Sequence, residues 1–201
     1  MSPHPDAPPS PSLNACCHKQ LNALGQAQLY RQLPNYGGQS GMVDFSSNDY
    51  LGLAHHPEVI AAGQTAAHEF GAGATGSRLL SGNLSCFEAL ENQVAQFKGT
   101  QAALVFSSGY QANSTALAAL LSSNVWGTAP LVLTDRLIHA SLHHACQLAG
   151  VKQVRFAHND LNHLEQCLKR HRKPGQPALV ITETVFGMDG DQLDVAALAE
   201  L

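Results

Sequence analysis

An α/β fold with a mostly parallel sheet is what this sequence predicts. Short apolar runs alternate with helical patterns of roughly ten residues, the signature of β-α-β units. Polar, turn-forming segments fall where the apolar runs end. The 201 residues, 44% hydrophobic and only 13% charged, are enough to bury a real core.

Residues 1–43 read as an N-terminal tail and helical arm. The opening "MSPHPDAPPSPS" is rich in proline and has no basic stretch followed by an apolar one, so it reads as a disordered tail and not as a secretory signal. Leu21 to Leu33 reads as a weak helix. From Asp44 to Leu53 the chain is polar and turn-prone, with aromatic and leucine anchors. Pro57 to Phe70 starts on proline, is rich in alanine and lacks alternation, which predicts a helix.

Gly71-Ala72-Gly73-Ala74-Thr75-Gly76 matches the dinucleotide fingerprint G-x-G-x-x-G letter for letter. That motif acts only where a strand enters it and a helix leaves it, because the helix N-terminus then faces a pyrophosphate. Here a helix enters and an irregular segment leaves, so these glycines serve another purpose. The next helix runs from Ser85, with Phe87, Leu90, Val94 and Phe97 on one face, and Lys98-Gly99 closes it.

Strands and helices then alternate. Strands are predicted at Ala102–Phe106, Leu131–Thr134, Gln153–Phe156 and Ala178–Thr182; helices at Gln111–Leu121, Ala140–Leu148 and Leu161–Arg170. The basic run Lys169-Arg170-His171-Arg172-Lys173 follows an amphipathic stretch and precedes Pro174-Gly175, which reads as a solvated helix end.

Composition excludes several function classes. A net charge of −4, with only 11 Lys and Arg, argues against a nucleic-acid surface. No stretch approaches the ~20 apolar residues of a membrane span. Cys16, Cys17, Cys86, Cys146 and Cys167 form no C-x-x-C pair, which argues against zinc or a disulfide framework and suits a reducing cytoplasm. His55-His56 and His143-His144 are adjacent and lack the i, i+4 spacing of helical ligands, so no metal site is expected.

Ligands of parallel sheets bind beyond the carboxyl ends of the strands. That rule singles out "SSGYQAN", "DRLIHASLHH", "AHND" and "ETVFGMDGD". In the first, a strand runs through Ser107-Ser108-Gly109 into a helix whose free N–H groups suit a phosphate, with an ordinary capped turn as the alternative. His139 is placed to stack on an aromatic ligand or to exchange a proton, unless it merely caps a helix. Glu183 and Asp189 are weak candidates taken singly. Four polar loops at successive strand ends together point to one small-molecule site.

The set "FSSNDYLGLAHHPEV", "GAGATGSRLLSG", "ALVFSSGYQAN", "DRLIHASL", "FAHNDLNHLE" and "ETVFGMDGD" resembles, in order and approximate spacing, the α-oxoamine synthases. These are pyridoxal-phosphate enzymes of the aspartate aminotransferase-like fold (PLP fold type I). The resemblance runs from Asp44 to the last residue and implies that 44–201 is an incomplete PLP-binding large domain. "FSSNDYLGL" and "FAHND" are most similar to the branch that condenses L-alanine with a pimeloyl thioester, carried on coenzyme A or a carrier protein, in biotin biosynthesis. The alternatives are the branches that make aminoketobutyrate, aminolevulinate or ketosphinganine, or a non-catalytic truncated product.

The resemblance also implies roles. Gly109 and Tyr110 would bind the cofactor at a helix start; His139 would stack on its ring and orient the substrate carboxylate; Glu183 would make polar contacts near it. Gly187 stands where a cofactor-contacting serine is common, and Cys86 where a histidine is usual. Asn48 would touch the amino-acid carboxylate. Arg31 is the candidate substrate arginine, although Tyr30 aligns as well. The Gly71–Arg78 segment would lie near the active site at the interface of a homodimer. The family's Schiff-base lysine and the aspartate that pairs with the pyridine nitrogen are absent from the chain up to Leu201. Lys19, Lys98, Lys152, Lys169 and Lys173 all suit solvated roles, so these 201 residues alone are expected to be inactive.

Overall fold

The computed structural model describes residues 12–33 and 43–201. The tail expected at the start of the chain lies outside them up to residue 11. Contacts gather the chain into two units, Met1–Thr65 and Ala66–Leu201, and each is taken by itself.

In the first unit, helix α1 spans Leu13–Gln26, earlier than the Leu21–Leu33 helix expected. The Ser12 hydroxyl caps it by accepting the Ala15 N–H at 3.3 Å, and Gln28, at φ 56°, takes the chain out of helical geometry. Asp44 to Leu53 is a chain of local turns. Asp44 Oδ1 accepts the Ser46 N–H at 2.8 Å, and Asp49 Oδ1 accepts the Leu53 N–H at 2.8 Å ahead of a 3₁₀ turn at Leu53–His55. Helix α2 begins in this unit and continues past Thr65; it covers Pro57–Phe70, the bounds that the opening proline and alanine-rich composition predict.

The second unit holds α3 (Ser85–Lys98), α4 (Gly109–Leu120), the short α5 (Ser123–Trp126), β1 (Leu131–Asp135), α6 (Ala140–Leu148), β2 (Gln153–Phe156), α7 (Leu161–His171), β3 (Ala178–Ile181) and α8 (Val195–Ala199). The three strands form a parallel sheet in the order β2-β1-β3. Leu133 of β1 pairs with Val154 on one side and Val180 on the other. Strand β1 is paired along both edges and packed against on both faces, so all five of its residues are buried.

Strand alternation sends residues to two apolar layers. Val132 and Ile181 join Leu121, Ile138, Cys146 and Phe186 beneath α4 and α6. Leu131 and Leu133 join Phe156, Leu164 and Cys167 on the α7 side, where Leu198 of α8 also packs. The sheet is thus a helix–sheet–helix sandwich, and loops leaving its carboxyl ends share one rim.

Ala102–Phe106, expected as a strand, pairs with no strand among the described residues. Its backbone groups are met by side chains instead: the Val105 N–H donates to Glu91 Oε1 at 2.8 Å, and the Val105 carbonyl accepts from Arg78 Nη1 at 3.3 Å. An apolar run supplies strand propensity, but a strand also needs a neighbour, which propensity cannot supply.

The glycine-rich loop serves close chain packing. A Cβ on Gly82 would fall 1.9 Å from the Gly76 carbonyl oxygen, so the two limbs of the loop touch only because side chains are missing. Arg78 then locks the loop to α3, with Nη1 and Nη2 donating to Glu91 Oε1 and Oε2 at 2.6 and 3.0 Å. Its guanidinium also lies 4.9 Å from the centre of the Phe87 ring. This fork holds the Glu91 carboxyl down at about 2, Arg78 being the main cause and the Val105 N–H the next.

Candidate functional site at the strand ends

The loops after β1 and β3 and the start of α4 enclose a cleft of about 600 Å³. Gly109, Tyr110 and Asn113 come from α4, His139 and Leu142 from the start of α6, and Thr182 to Val185 from the segment after β3. The sequence-derived candidates Gly109, Tyr110, His139 and Glu183 therefore meet here. Gly187 is exposed at the tip of the following turn and is not among the cleft-lining residues. Asn48 and Arg31 are exposed within the first unit.

Helix α4 begins after Ser108, whose hydroxyl accepts the Gln111 N–H at 3.1 Å and whose carbonyl accepts the Ala112 N–H at 2.9 Å. The N–H groups of Gly109 and Tyr110, earlier in the turn, have no intrahelical acceptor and head the helix dipole. A Cβ on Gly109 would meet nothing within 4 Å, so the fold itself does not demand glycine there. The open space over a helix N-terminus suits an anion.

His139 caps α6: its Nδ1 accepts the Ser141 N–H at 3.2 Å and lies 2.7 Å from the Ser141 hydroxyl. A backbone N–H can only donate, so Nδ1 is an acceptor and the neutral ring carries its proton on Nε2. Asn113 Nδ2 donates to the same Ser141 hydroxyl at 3.1 Å, tying α4 to the imidazole through one oxygen. The Tyr110 ring stands edge-on to His139 with centroids 6.3 Å apart, and its hydroxyl lies 3.2 Å from His144 Nδ1. Glu183 Oε1 accepts the His139 N–H at 2.5 Å, bridging the loops after β1 and β3. Thr182 Oγ1, also on the cleft, is buried with no hydrogen-bond partner.

Sequence reasoning missed Asn113 and Thr182. Asn113 is one helical turn beyond Gly109 and shares its face, so the i, i+4 rule could have found it. Thr182 was read as the last residue of a strand, and its loss of a partner shows only in three dimensions.

Beside the cleft lies a second polar cluster. Asp135 at the end of β1, fully buried, faces His158 Nδ1 at 2.9 Å, and His158 Nε2 faces Asp191 Oδ2 at 2.8 Å. Among the described residues there is no group of three or more His, Cys, Asp or Glu arranged to hold a metal, and no helix long and apolar enough to cross a membrane.

A family model for aminotransferase class I and II matches residues 40–201. An 8-amino-7-oxononanoate synthase of Gluconacetobacter diazotrophicus is 51% identical over 164 residues, covering 81% of this chain and 41% of the relative. One from Methylobacterium nodulans is 42% identical over 201 residues, covering 96% and 52%. Among solved structures, a serine palmitoyltransferase of S. paucimobilis with a bound PLP–myriocin aldimine superposes with a TM-score of 0.68 at 36% identity, over 75% of this chain and 37% of that one. An 8-amino-7-oxononanoate synthase of Francisella tularensis, 24% identical with a TM-score of 0.63 over 80% and 42%, shares the fold. The chain spans about half, or less, of the length of these relatives, 41% and 52% for the two synthases compared by sequence.

Proposed function

Since this chain belongs to the aminotransferase class I and II family, we propose that it contributes the cofactor cleft of an 8-amino-7-oxononanoate synthase. The reaction is the decarboxylative condensation of L-alanine with a pimeloyl thioester. The observation that carries the reading is the convergence of the α4 N-terminus, His139 and Glu183 on one cleft beyond the carboxyl ends of β1 and β3.

The residues present suit pyridoxal phosphate, on the ground of an open helix N-terminus, aromatic walls and an orphaned buried hydroxyl on Thr182. When bound, pyridoxal phosphate supplies an electron sink for charge developing at the α-carbon of the amino acid. The α4 N–H groups would hold its phosphate. His139, fixed by Ser141, would present a ring face to the pyridine and keep its Nε2 proton for a carboxylate. Glu183 holds the His139 backbone and so the placement of that ring.

The test uses the whole coding region that contains these residues, expressed and supplied with pyridoxal phosphate. Thiol release is followed with L-alanine, glycine or L-serine against pimeloyl-CoA, a pimeloyl carrier protein or palmitoyl-CoA. Release with L-alanine and a pimeloyl thioester is expected. Preference for L-serine and palmitoyl-CoA would move the protein to the branch of its structural neighbours, and release from none would overturn the reading. His139→Ala should lower kcat/KM by about 10²-fold, the scale of a misplaced reacting group.

A further inference from the structure

His158 belongs to the "AHND" motif and takes no part in the cleft described above, yet each of its ring nitrogens meets a carboxylate oxygen. We propose that His158 is a positioning residue: as an imidazolium it cross-links Asp135, at the base of the loop bearing His139, to Asp191, in the hairpin that follows Glu183, and so sets the spacing of the two cleft walls.

The geometry carries this. Asp135 Oδ1 accepts the Leu137 N–H at 2.8 Å and faces His158 Nδ1, while Oδ2 accepts the Asn159 N–H at 2.9 Å. On the other side of the ring, Asp191 Oδ2 faces Nε2 and also accepts from Asn159 Nδ2. Both ring nitrogens thus meet a carboxylate oxygen. A neutral imidazole has one N–H and would turn a lone pair toward the other carboxylate; only the protonated ring donates to both. The neighbourhood is short of donors as well, since Asp191 Oδ1 and Asn159 Oδ1 are buried without partners.

The hairpin is defined by its own bonds: Phe186 N–H to the Asp191 carbonyl at 3.0 Å, and Leu193 N–H to the Thr184 carbonyl at 3.2 Å. Phe186 is buried and meets the His158 ring edge-on at 4.4 Å. One imidazole therefore grips the hairpin through a charge and through an aromatic face. Glu183 lies one residue before this hairpin and holds the His139 N–H, so any shift of the hairpin reaches the cleft.

Asp135 and Asp191 are the charged groups that meet the ring. On the neighbouring elements, Asp160 Oδ1 and His163 Nδ1 are engaged at the start of α7, accepting the His163 and Ala157 N–H groups, while Arg136, Arg155 and Asp189 are exposed. Asp135 is the main cause that raises the His158 pKa above its ordinary value of 6.5, with Asp191 adding to it against partial burial. The cross-link is accordingly complete below the ordinary value and is lost as pH rises through the raised one.

The assignment of the walls to a cofactor rests on the proposed function; the cross-link does not. The experiment measures amide hydrogen exchange in the protein expressed from its whole coding region, across pH and corrected for intrinsic exchange, with the His158 titration followed by NMR. Protection of Phe186 and Leu193 should fall at least about tenfold as His158 deprotonates, the scale of one hydrogen bond to a charged group. His158→Gln should abolish that pH step. Asp191→Asn, at a partly exposed position, should lower the His158 pKa and loosen the same amides. Flat protection across pH, or a His158 that is neutral at pH 6, overturns the cross-link. Pyridoxal phosphate affinity is measured alongside: it should weaken in His158→Gln, and unchanged affinity with a loosened hairpin overturns the positioning role. Failure of the parent protein to bind pyridoxal phosphate overturns the proposed function and leaves the exchange result to decide the cross-link.

Discussion

Arg78 ties a carboxylate to a backbone carbonyl and His158 ties two carboxylates, each pair drawn from separate elements, and the two regions behave differently because of the cation chosen. Arg78 grips both oxygens of Glu91 and reaches the Val105 carbonyl, with a charge that no accessible pH removes. His158 grips one oxygen of Asp135 and one of Asp191, with a charge that is lost as pH rises through a pKa lifted above the ordinary 6.5. The first region fastens the glycine-rich loop to α3 and the 102–106 segment, while the second lies beside the cleft. Permanent charge is found where the chain needs only to be held, and titratable charge where two loops flank a site.

The largest effect that would sharpen this contrast is on the loop side. Gly82→Ala drives a methyl group into the Gly76 carbonyl, and relieving that overlap should cost about 1–3 kcal/mol of stability. Thermal unfolding measures it. An unchanged Tm would show that the loop gives way freely and that Arg78 holds nothing rigid.

Next comes acid. The Glu91 carboxyl is held down from 4.5 to about 2, so its contribution is complete above 4.5 and fades as pH falls toward 2. Glu91→Gln should therefore lower Tm at neutral pH, with the difference from the parent closing over that window. His158→Gln should show the opposite trend, its difference from the parent closing as pH rises above the ordinary histidine range. Parallel Tm profiles for the two variants would erase the distinction between the regions.

The smallest effect is on stability at the cleft. Gly109→Ala places a methyl group in open space at a helix start, so Tm should change by less than the equivalent of about 1 kcal/mol. Pyridoxal phosphate affinity should nonetheless fall, since backbone approach to a phosphate is what the missing side chain permits. A clear loss of stability would make Gly109 a structural glycine like Gly82.

Much of this was legible in the sequence where local rules suffice. The proline of α2 and the Lys98-Gly99 end of α3, with Gly99 at φ 66°, mark boundaries through backbone chemistry alone. The three sheet strands read correctly because apolar runs separated by helices require buried parallel pairing. Ala102–Phe106 read wrongly because pairing is a property of neighbours. His139 and Glu183 were visible as polar residues at strand ends, but the bond between them was not, since it joins loops that only the sheet brings together. Asp135, Asp191 and His158 were passed over for the same reason: each is an ordinary turn residue until its two partners arrive.

The division of the core into two layers has one more consequence. Cys146 is buried in the layer under α4 and α6, and Cys167 in the layer under α7. Burial pushes the Cys146 thiol pKa up, which keeps it in its unreactive form. The sheet thus carries one buried thiol on either side, Cys146 fully enclosed and Cys167 beside a surface groove lined by Arg155, Gln166 and Arg170, so an alkylating reagent reaches Cys146 only when its side opens. Modification kinetics at Cys146, with the more accessible Cys167 as an internal reference, would time the opening of the α4–α6 face of the sheet, using residues the protein already has.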